Sequence, residues 1–344
     1  MTKIYSPRVV ASENSAPGHP EVSVIVPAFD AEQFVKAAVT SALSQTMRSL
    51  EVIVIDDGSG DGTAQIIRDL AAKDRRVRPL FNTTRQGVSA ARNTGLNAAK
   101  GNYIALLDAD DAWIPNRLEL MLRVMKNRGL DMLADQLEII EFESGKWHGP
   151  AFNSSWMTTA REISVEDFLQ RDWPGYHYTR NLGLMKPLVR RRNIEDAGLR
   201  FDERLSLGED ALFYVCLMLA GARLGLIPDA LYLYSVRPNS LSSSPTPTMQ
   251  LVAANAAMVS WLHNLPNRRK DASEIEYILR RRKGALLIQY LFWCLKTMRI
   301  KQGFGVAHLI SINSYYSWSL KFILHRLWRL QERFGLPRLI TKQL

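Results

Sequence analysis

In the first half of the chain, short β-branched apolar runs alternate with stretches whose apolar residues recur every three or four positions. Val22-Ser-Val-Ile-Val26 reads as a strand, and so does Glu51-Val-Ile-Val-Ile55. Between them, Phe34, Val35, Ala38, Val39, Ala42 and Leu43 fall on one helical face, with Asp30 and Gln33 in a capping-box pattern ahead of it. A helix carrying Ile66, Ile67 and Leu70 follows the second strand, then a weaker strand near Val77 to Phe81 and a helix from Val88 to Ala99. Tyr103-Ile-Ala-Leu-Leu107 is the fourth strand, and Pro115 opens a helix with Leu118, Met121, Leu122 and Met125 on one face. Strands lacking polar alternation, separated by helices, predict a parallel α/β sheet covered on both faces. Ligands of such sheets sit beyond the carboxyl ends of the strands.

After Asp131 the periods mix. Met132 to Phe142 predicts extended chain broken near Glu143-Ser-Gly145, Ser164-Val-Glu-Asp167 a capping box, and Leu184 to Arg190 a further strand. Gly208 to Ala220 reads as a helix, and Leu224 to Ile227 and Leu231 to Val236 as two extended pieces. From Pro245 onward the chain reads as helical, near 248–263, 273–298 and 303–334. No repeat is visible.

Composition changes this picture in two places. Apolar residues make up 47% and charged residues 23%, ordinary for a globular chain, but the net charge is +10. From Leu241 onward there are 16 Lys and Arg against 4 Asp and Glu, so the positive excess belongs to the C-terminal third. The first twenty residues lack an apolar core and read as a loose tail without a signal peptide. No apolar run reaches the roughly 18 residues of a membrane span. Cys216 and Cys294 lie in apolar helical stretches, as inert thiols of a reducing compartment would.

Candidate chemistry lies in three acidic clusters. Asp108-Ala-Asp-Asp111 ends the fourth strand, where carboxylates two apart can converge on a divalent cation with phosphates completing the shell; alone, it reads first as a solvated turn capping the helix at Pro115. Asp56-Asp57 ends the second strand, where it can meet a base or ribose, or cap the next helix through Asp61. Glycines 58, 60 and 62 do not complete a dinucleotide fingerprint, because Thr63 stands where its last glycine belongs. Glu209-Asp210 opens a helix, a place the macrodipole favours for acids in any case.

Together and in order, these pieces resemble family 2 glycosyltransferases of the GT-A fold. The resemblance rests on Val22-Ser-Val-Ile-Val-Pro-Ala-Phe-Asp30, Val54-Ile-Asp-Asp-Gly-Ser59, Gly87-Val-Ser-Ala-Ala-Arg-Asn-Thr-Gly95, Leu107-Asp-Ala-Asp-Asp111 and Gly208-Glu-Asp210. It is dense from Glu21 to Arg128, thinner to Ser242, and is nearest to bacterial enzymes assembling exopolysaccharides such as succinoglycan. It implies a tail over 1–20, a GT-A catalytic domain over 21–242 with a nucleotide-binding half (21–130) and an acceptor-binding half (131–242), and a basic helical region over 243–344. Pro27, Phe29, Asp56 and Asp57 would surround the base, Arg92 the nucleotide, and Asp108 the ribose or donor sugar. Asp110, with Asp111 beside it, would bind Mn²⁺ or Mg²⁺. Asp210 would be the catalytic base and Glu209 would place the acceptor. Tyr234, Arg237, Ser240 and Ser242 resemble the loop that closes near the diphosphate.

The implied reaction is an inverting transfer from a nucleotide-diphosphate sugar, such as UDP-glucose, to a hydroxyl of a polyprenyl-diphosphate-linked glycan. Alternatives are a non-catalytic nucleotide-sugar or glycan-binding protein on the same fold, and a nucleotidyltransferase, for which no Gly-rich triphosphate loop with its Lys is evident. Arg280-Arg-Arg-Lys283, the stripe Arg326, Arg329 and Arg333, and Trp261, Trp293, Trp318 and Trp328 suit either a packed helical subdomain or contact with the anionic inner face of a membrane. No nucleic-acid module is recognisable. The expected location is the cytoplasm, with peripheral contact at the inner membrane.

Overall fold

The computed structural model describes residues 19–152, 157–172, 182–237, 248–266 and 269–296. Four parallel strands form one side of the sheet: β1 (Val22–Ala28), β2 (Leu50–Asp56), β3 (Val77–Phe81) and β4 (Tyr103–Leu106), in the order β3-β2-β1-β4. β1 is buried along almost its whole length and β2 throughout, which is why they lack polar alternation. Helices α1 (Val35–Leu43), α2 (Thr63–Lys73) and α3 (Val88–Ala98) connect them. The helix-face reading of α1 holds, with Val35, Ala38, Val39 and Ala42 buried. α3 lies so close to the sheet that a β-carbon on Gly95 would come within 2.5 Å of the Ile25 side chain.

Asp30 does not cap α1. Its backbone is left-handed (φ 44°), α1 begins only at Val35 after a turn, and its carboxylate accepts a hydrogen bond from Gly60 N–H at 2.9 Å. The capping-box reading thus gives way to a clasp between two loops at the strand ends. Asp61 makes the local bond instead, accepting from Thr63 N–H at 3.0 Å.

The second side of the sheet is mixed. β5 (Ala112–Trp113) leads into α4 (Arg117–Arg128), which starts two residues after Pro115 and buries Leu118, Met121, Leu122 and Met125 as expected. β6 (Met132–Glu141) turns back into β7 (Trp147–Pro150), and β8 (Arg161–Ile163) precedes α5 (Val165–Arg171), whose cap Ser164 accepts from Asp167 N–H. The strand expected from Leu184 shortens to β9 (Leu188–Arg190), because Leu182–Leu184 winds as a 3₁₀ turn. β9 lies antiparallel between β4 and β6 and joins the two sides. After α6 (Arg191–Asp196) and α7 (Glu209–Leu219), the two expected extended pieces are one strand, β10 (Leu224–Val236), parallel to β6 with register shifts near Ala230. The full order is β3-β2-β1-β4-β9-β6-β10-β5.

Helices α8 (Thr248–His263) and α9 (Ala272–Lys296) fall where the apolar pattern placed them. Ala254, Met258, Leu262, Ile275 and Leu279 join the same hydrophobic core as the sheet. Two polar ties reinforce that packing: the Arg282 guanidinium pairs with the buried Asp172 carboxylate, and Arg269 donates to the Met218 carbonyl at 3.2 Å. The helix expected over 303–334, with its arginine stripe, lies outside the described residues, as do Ser240 and Ser242. Among the described residues, no helix is long and apolar enough to cross a membrane. Cys216 is buried, and burial pushes its thiol up to about 12, leaving it protonated and inert.

Candidate active site

The carboxyl ends of β1, β2 and β4 and the start of α7 converge at one place, and each cluster singled out in the sequence contributes. On the nucleotide side, Asp56 is buried and its Oδ1 accepts from the Ser59 hydroxyl at 2.5 Å. The ring of Phe29, the residue after β1, is half-buried beneath the Arg85 guanidinium, 4.0 Å from ring centroid to carbon, and Pro27 is the last residue but one of that strand. Asp57 differs from the sequence expectation. Its carboxylate accepts from Asn82 Nδ2, Gln86 N–H and Gly87 N–H at 2.9, 2.9 and 2.7 Å, so it is spent on fixing the loop that enters α3.

α3 then does two things. Ser89 donates to the Leu205 carbonyl at 2.7 Å, and Asn93 exchanges hydrogen bonds with the Phe201 backbone, so the helix grips the loop leading into α7. Arg92, almost completely buried, reaches across the gap between the two sides of the sheet. Its Nη2 donates to Asp108 Oδ1 at 3.0 Å and its Nη1 to Glu209 Oε1 at 2.8 Å, with Asp210 Oδ1 2.9 Å away. Lys186 runs parallel to it: its Nζ lies 2.5 Å from Asp210 Oδ2 and 3.1 Å from Asp108 Oδ2. Two buried cations thus bind the end of β4 to the start of α7.

Electrostatics follow from that geometry. Burial raises the proton affinity of Asp108, but Lys186 and Arg92 outweigh it and hold its carboxyl well below the usual range. Burial opposes the charge on Lys186, yet Asp108 and Asp210 keep it protonated. Glu209 is pushed up, by burial and by the neighbouring charge of Asp210.

The three aspartates after β4 have separate tasks. Asp110 is only partly covered, its Oδ2 accepts from Arg237 Nε at 2.7 Å, and burial plus the charge of Asp108 raise its pKa. Arg237 lies over the ring of Phe34, which packs edge-on against Phe142. Asp111 points inward: Oδ2 accepts from the Tyr232 hydroxyl at 2.6 Å and Oδ1 from Ser235 N–H at 2.8 Å. It anchors β10 to the acidic turn, so the expectation that Asp110 and Asp111 ligate a metal side by side is not matched by where Asp111 points. Among the described residues, no three His, Cys, Asp or Glu side chains are grouped to hold a metal by themselves. Tyr234 lies half-buried on β10, packed against the core.

Sequence reading missed Lys186, Tyr232 and the pair Arg117–Asp135. The last is completely buried and bidentate, at 2.9 and 2.7 Å, and Arg117 Nη2 also donates to the Lys186 carbonyl at 2.7 Å. Its guanidinium stacks near Trp113 and Tyr232. The only signal in the sequence was a lysine inside an otherwise apolar stretch, Leu184-Met-Lys-Pro187.

Comparison with known proteins gives the same family. The family model described as glycosyl transferase family 2 matches residues 23–189. The succinoglycan biosynthesis proteins ExoU and ExoO of Rhizobium meliloti (strain 1021) are 31% and 32% identical to this chain. The ExoU match covers 83% of this chain and 81% of ExoU. The ExoO match covers 65% and 63%, so the chain spans slightly less than two thirds of that relative. An Escherichia coli protein, UDP-Glc:alpha-D-GlcNAc-diphosphoundecaprenol beta-1,3-glucosyltransferase WfgD, is 38% identical over 131 residues, 38% of this chain and 51% of its own length. Among solved structures, S. aureus TarS 1-349 in complex with UDP-GlcNAc superposes with a TM-score of 0.62 at 21% identity, covering 77% of this chain and 72% of that one. The fold is therefore GT-A, as the resemblance implied.

Proposed function

This chain belongs to glycosyl transferase family 2, and we propose that it moves a hexose from a UDP-sugar to a hydroxyl of a lipid-linked glycan, with inversion. The observation that carries this reading is the convergence of Asp108, Glu209 and Asp210 on the two buried cations Arg92 and Lys186. It supports the reading of Asp108 as a donor-side and Asp210 as an acceptor-side carboxylate, since both belong to one network at the strand ends, where α/β sheets bind ligands. The activity in WfgD's name supports UDP-glucose as donor and a diphosphoundecaprenol-linked acceptor, and the names of ExoO and ExoU support polysaccharide assembly.

In this reading the uracil rests by Pro27, Phe29 and Asp56, and Asp108 receives hydroxyls of the ribose or donor sugar. Glu209 orients the acceptor. Asp210 takes the proton of the attacking hydroxyl as its oxygen bonds to the anomeric carbon, while the bond from that carbon to the diphosphate oxygen breaks and the electron pair leaves with the UDP. Attack opposite the leaving group turns an α-linked donor into a β-linked product. A positioned general base is worth about 10²–10⁴ in rate.

The residues fit a divalent metal. Mg²⁺ and Mn²⁺ are held by one or two carboxylates plus phosphates and water, and Asp110 offers one partly covered carboxylate whose negative charge is poorly accommodated where it stands. A cation bound there would neutralise charge on the departing diphosphate. Asp111 fixes the turn from behind, and Arg237 is the side chain placed to meet the diphosphate. Residues 21–130 then serve the nucleotide and 131–242 the acceptor, while the basic region beyond 242 favours peripheral contact with anionic lipid at the cytoplasmic face of the membrane. Flotation with neutral and anionic vesicles tests that contact: equal recovery would remove it.

The function itself is tested by titrating UDP with and without Mn²⁺ into the wild type and Asp110→Ala, and by following UDP release from UDP-glucose. Mn²⁺-enhanced binding that the variant loses, together with UDP release, is the expected result. A protein that binds UDP but never releases it from UDP-sugars would be a binding module. Pyrophosphate as product would indicate a nucleotidyltransferase.

A further inference from the structure

The reading of Asp210 as base leaves open which of its oxygens reacts and what holds that oxygen in place. Its Oδ1 is sealed in the interior without a hydrogen-bond partner, facing Arg92 Nη1 at 2.9 Å. An acceptor hydroxyl therefore has to approach Oδ2. That oxygen has Lys186 Nζ 2.5 Å away, and the same ammonium reaches Asp108 Oδ2 at 3.1 Å. An ionised carboxylate oxygen carries two lone-pair sites, so an ammonium on one leaves the other for the incoming proton.

We propose that Lys186 is the positioning residue of the transfer reaction: it shares the reactive oxygen of Asp210, fixes its direction and ties it to the donor-side carboxylate Asp108. Lys186 is itself fixed from two directions. Its carbonyl is held by the buried Arg117, and Pro187 follows it, so its main chain has little freedom. The other groups facing Asp210 are Arg92 from α3, Asp108 after β4, and Glu209 and Tyr214 from its own helix. From α8, the uncharged side chains of Leu251 and Ala254 lie nearest the start of that helix at Gly208.

The inference rests on Asp210 being the base, and the test separates the two. UDP release from UDP-glucose, UDP-galactose and UDP-GlcNAc is followed for the wild type, Lys186→Met and Lys186→Arg, with UDP titration and thermal melting of each. For Lys186→Met the expected result is a fall in kcat of about tenfold or more. KM for the donor should change less than about threefold, which puts the loss in the transfer step and not in donor binding. Lys186→Arg keeps the charge but not the contact geometry, so its kcat is intermediate. Where the methionine variant fails to fold, the arginine variant decides: a kcat equal to wild type overturns the positioning role. A folded Lys186→Met with unchanged kcat overturns the inference and leaves the glycosyltransferase reading intact. A wild type that binds UDP yet releases none from any of the three donors overturns that reading, and the inference with it.

Discussion

The two sides of the sheet bury their polar groups in different places. On the β3-β2-β1-β4 side the strand interiors are apolar, and their buried polar contacts sit at the ends: Ser23 with Glu51 at one end, Asp56 and Asp57 at the other. On the β9-β6-β10-β5 side, charge lies within the protein interior: Arg117 with Asp135 on β6, Asp111 beneath Tyr232 of β10, and Lys186 just ahead of β9. The first side can be read as a platform whose loops offer groups to a nucleotide. The second is braced by buried ions, and Arg92 and Lys186 join one side to the other. The lesson is that the proposed site belongs to neither half alone; it depends on the cations that cross between them.

Breaking the joint itself should have the largest effect. Asp210→Asn keeps the shape and removes the base, so UDP release should fall about 10²–10⁴-fold while UDP affinity stays within about twofold. A comparable fall in UDP affinity would mean that the acidic helix start belongs to the nucleotide platform. Arg117→Met leaves Asp135 buried and unpaired, which should cost about 3–5 kcal/mol in urea unfolding, and adding Asp135→Leu should recover much of that loss. A loss below about 1 kcal/mol would show that the second side does not depend on its buried ions. On the apolar side the matching perturbation is steric. Gly95→Ala forces a methyl against Ile25 and should cost about 1–3 kcal/mol by thermal melting. The exposed pair Arg192–Asp196 on α6 sets the floor: Arg192→Ala should move stability by less than about 0.5 kcal/mol.

The difference between the sides also explains what could be read from the sequence. Strands with uniformly buried faces leave unbroken apolar runs, so β1, β2 and β3 were legible almost to the residue, as was α7 with its acidic start. Period reading failed at Asp30, where a capping residue was used for a loop-to-loop bond instead, a choice that depends on Gly60 being nearby in space. It also split β10 in two, because its register shift near Ala230 interrupts the alternation without ending the strand. The acids of the site were visible because they occur in ordered clusters at strand ends. Their cations were not: Arg92 emerged only through family resemblance, and Lys186 meets Asp108 and Asp210 only after β9 has been inserted between β4 and β6. Long-range pairing of that kind leaves no local spacing to find.

Gly208, the residue before α7, has φ 81°, and a β-carbon there would lie 2.8 Å from Leu251 of α8. The start of α7 is therefore flush against the C-terminal helices, with no side chain between them. For anyone producing this protein, a fragment ended at residue 242 would strip the cover from the very turn that sets Glu209 and Asp210. Such a fragment should come out of expression insoluble or inert, so screening of donors and acceptors is best done on chains that keep α8 and α9.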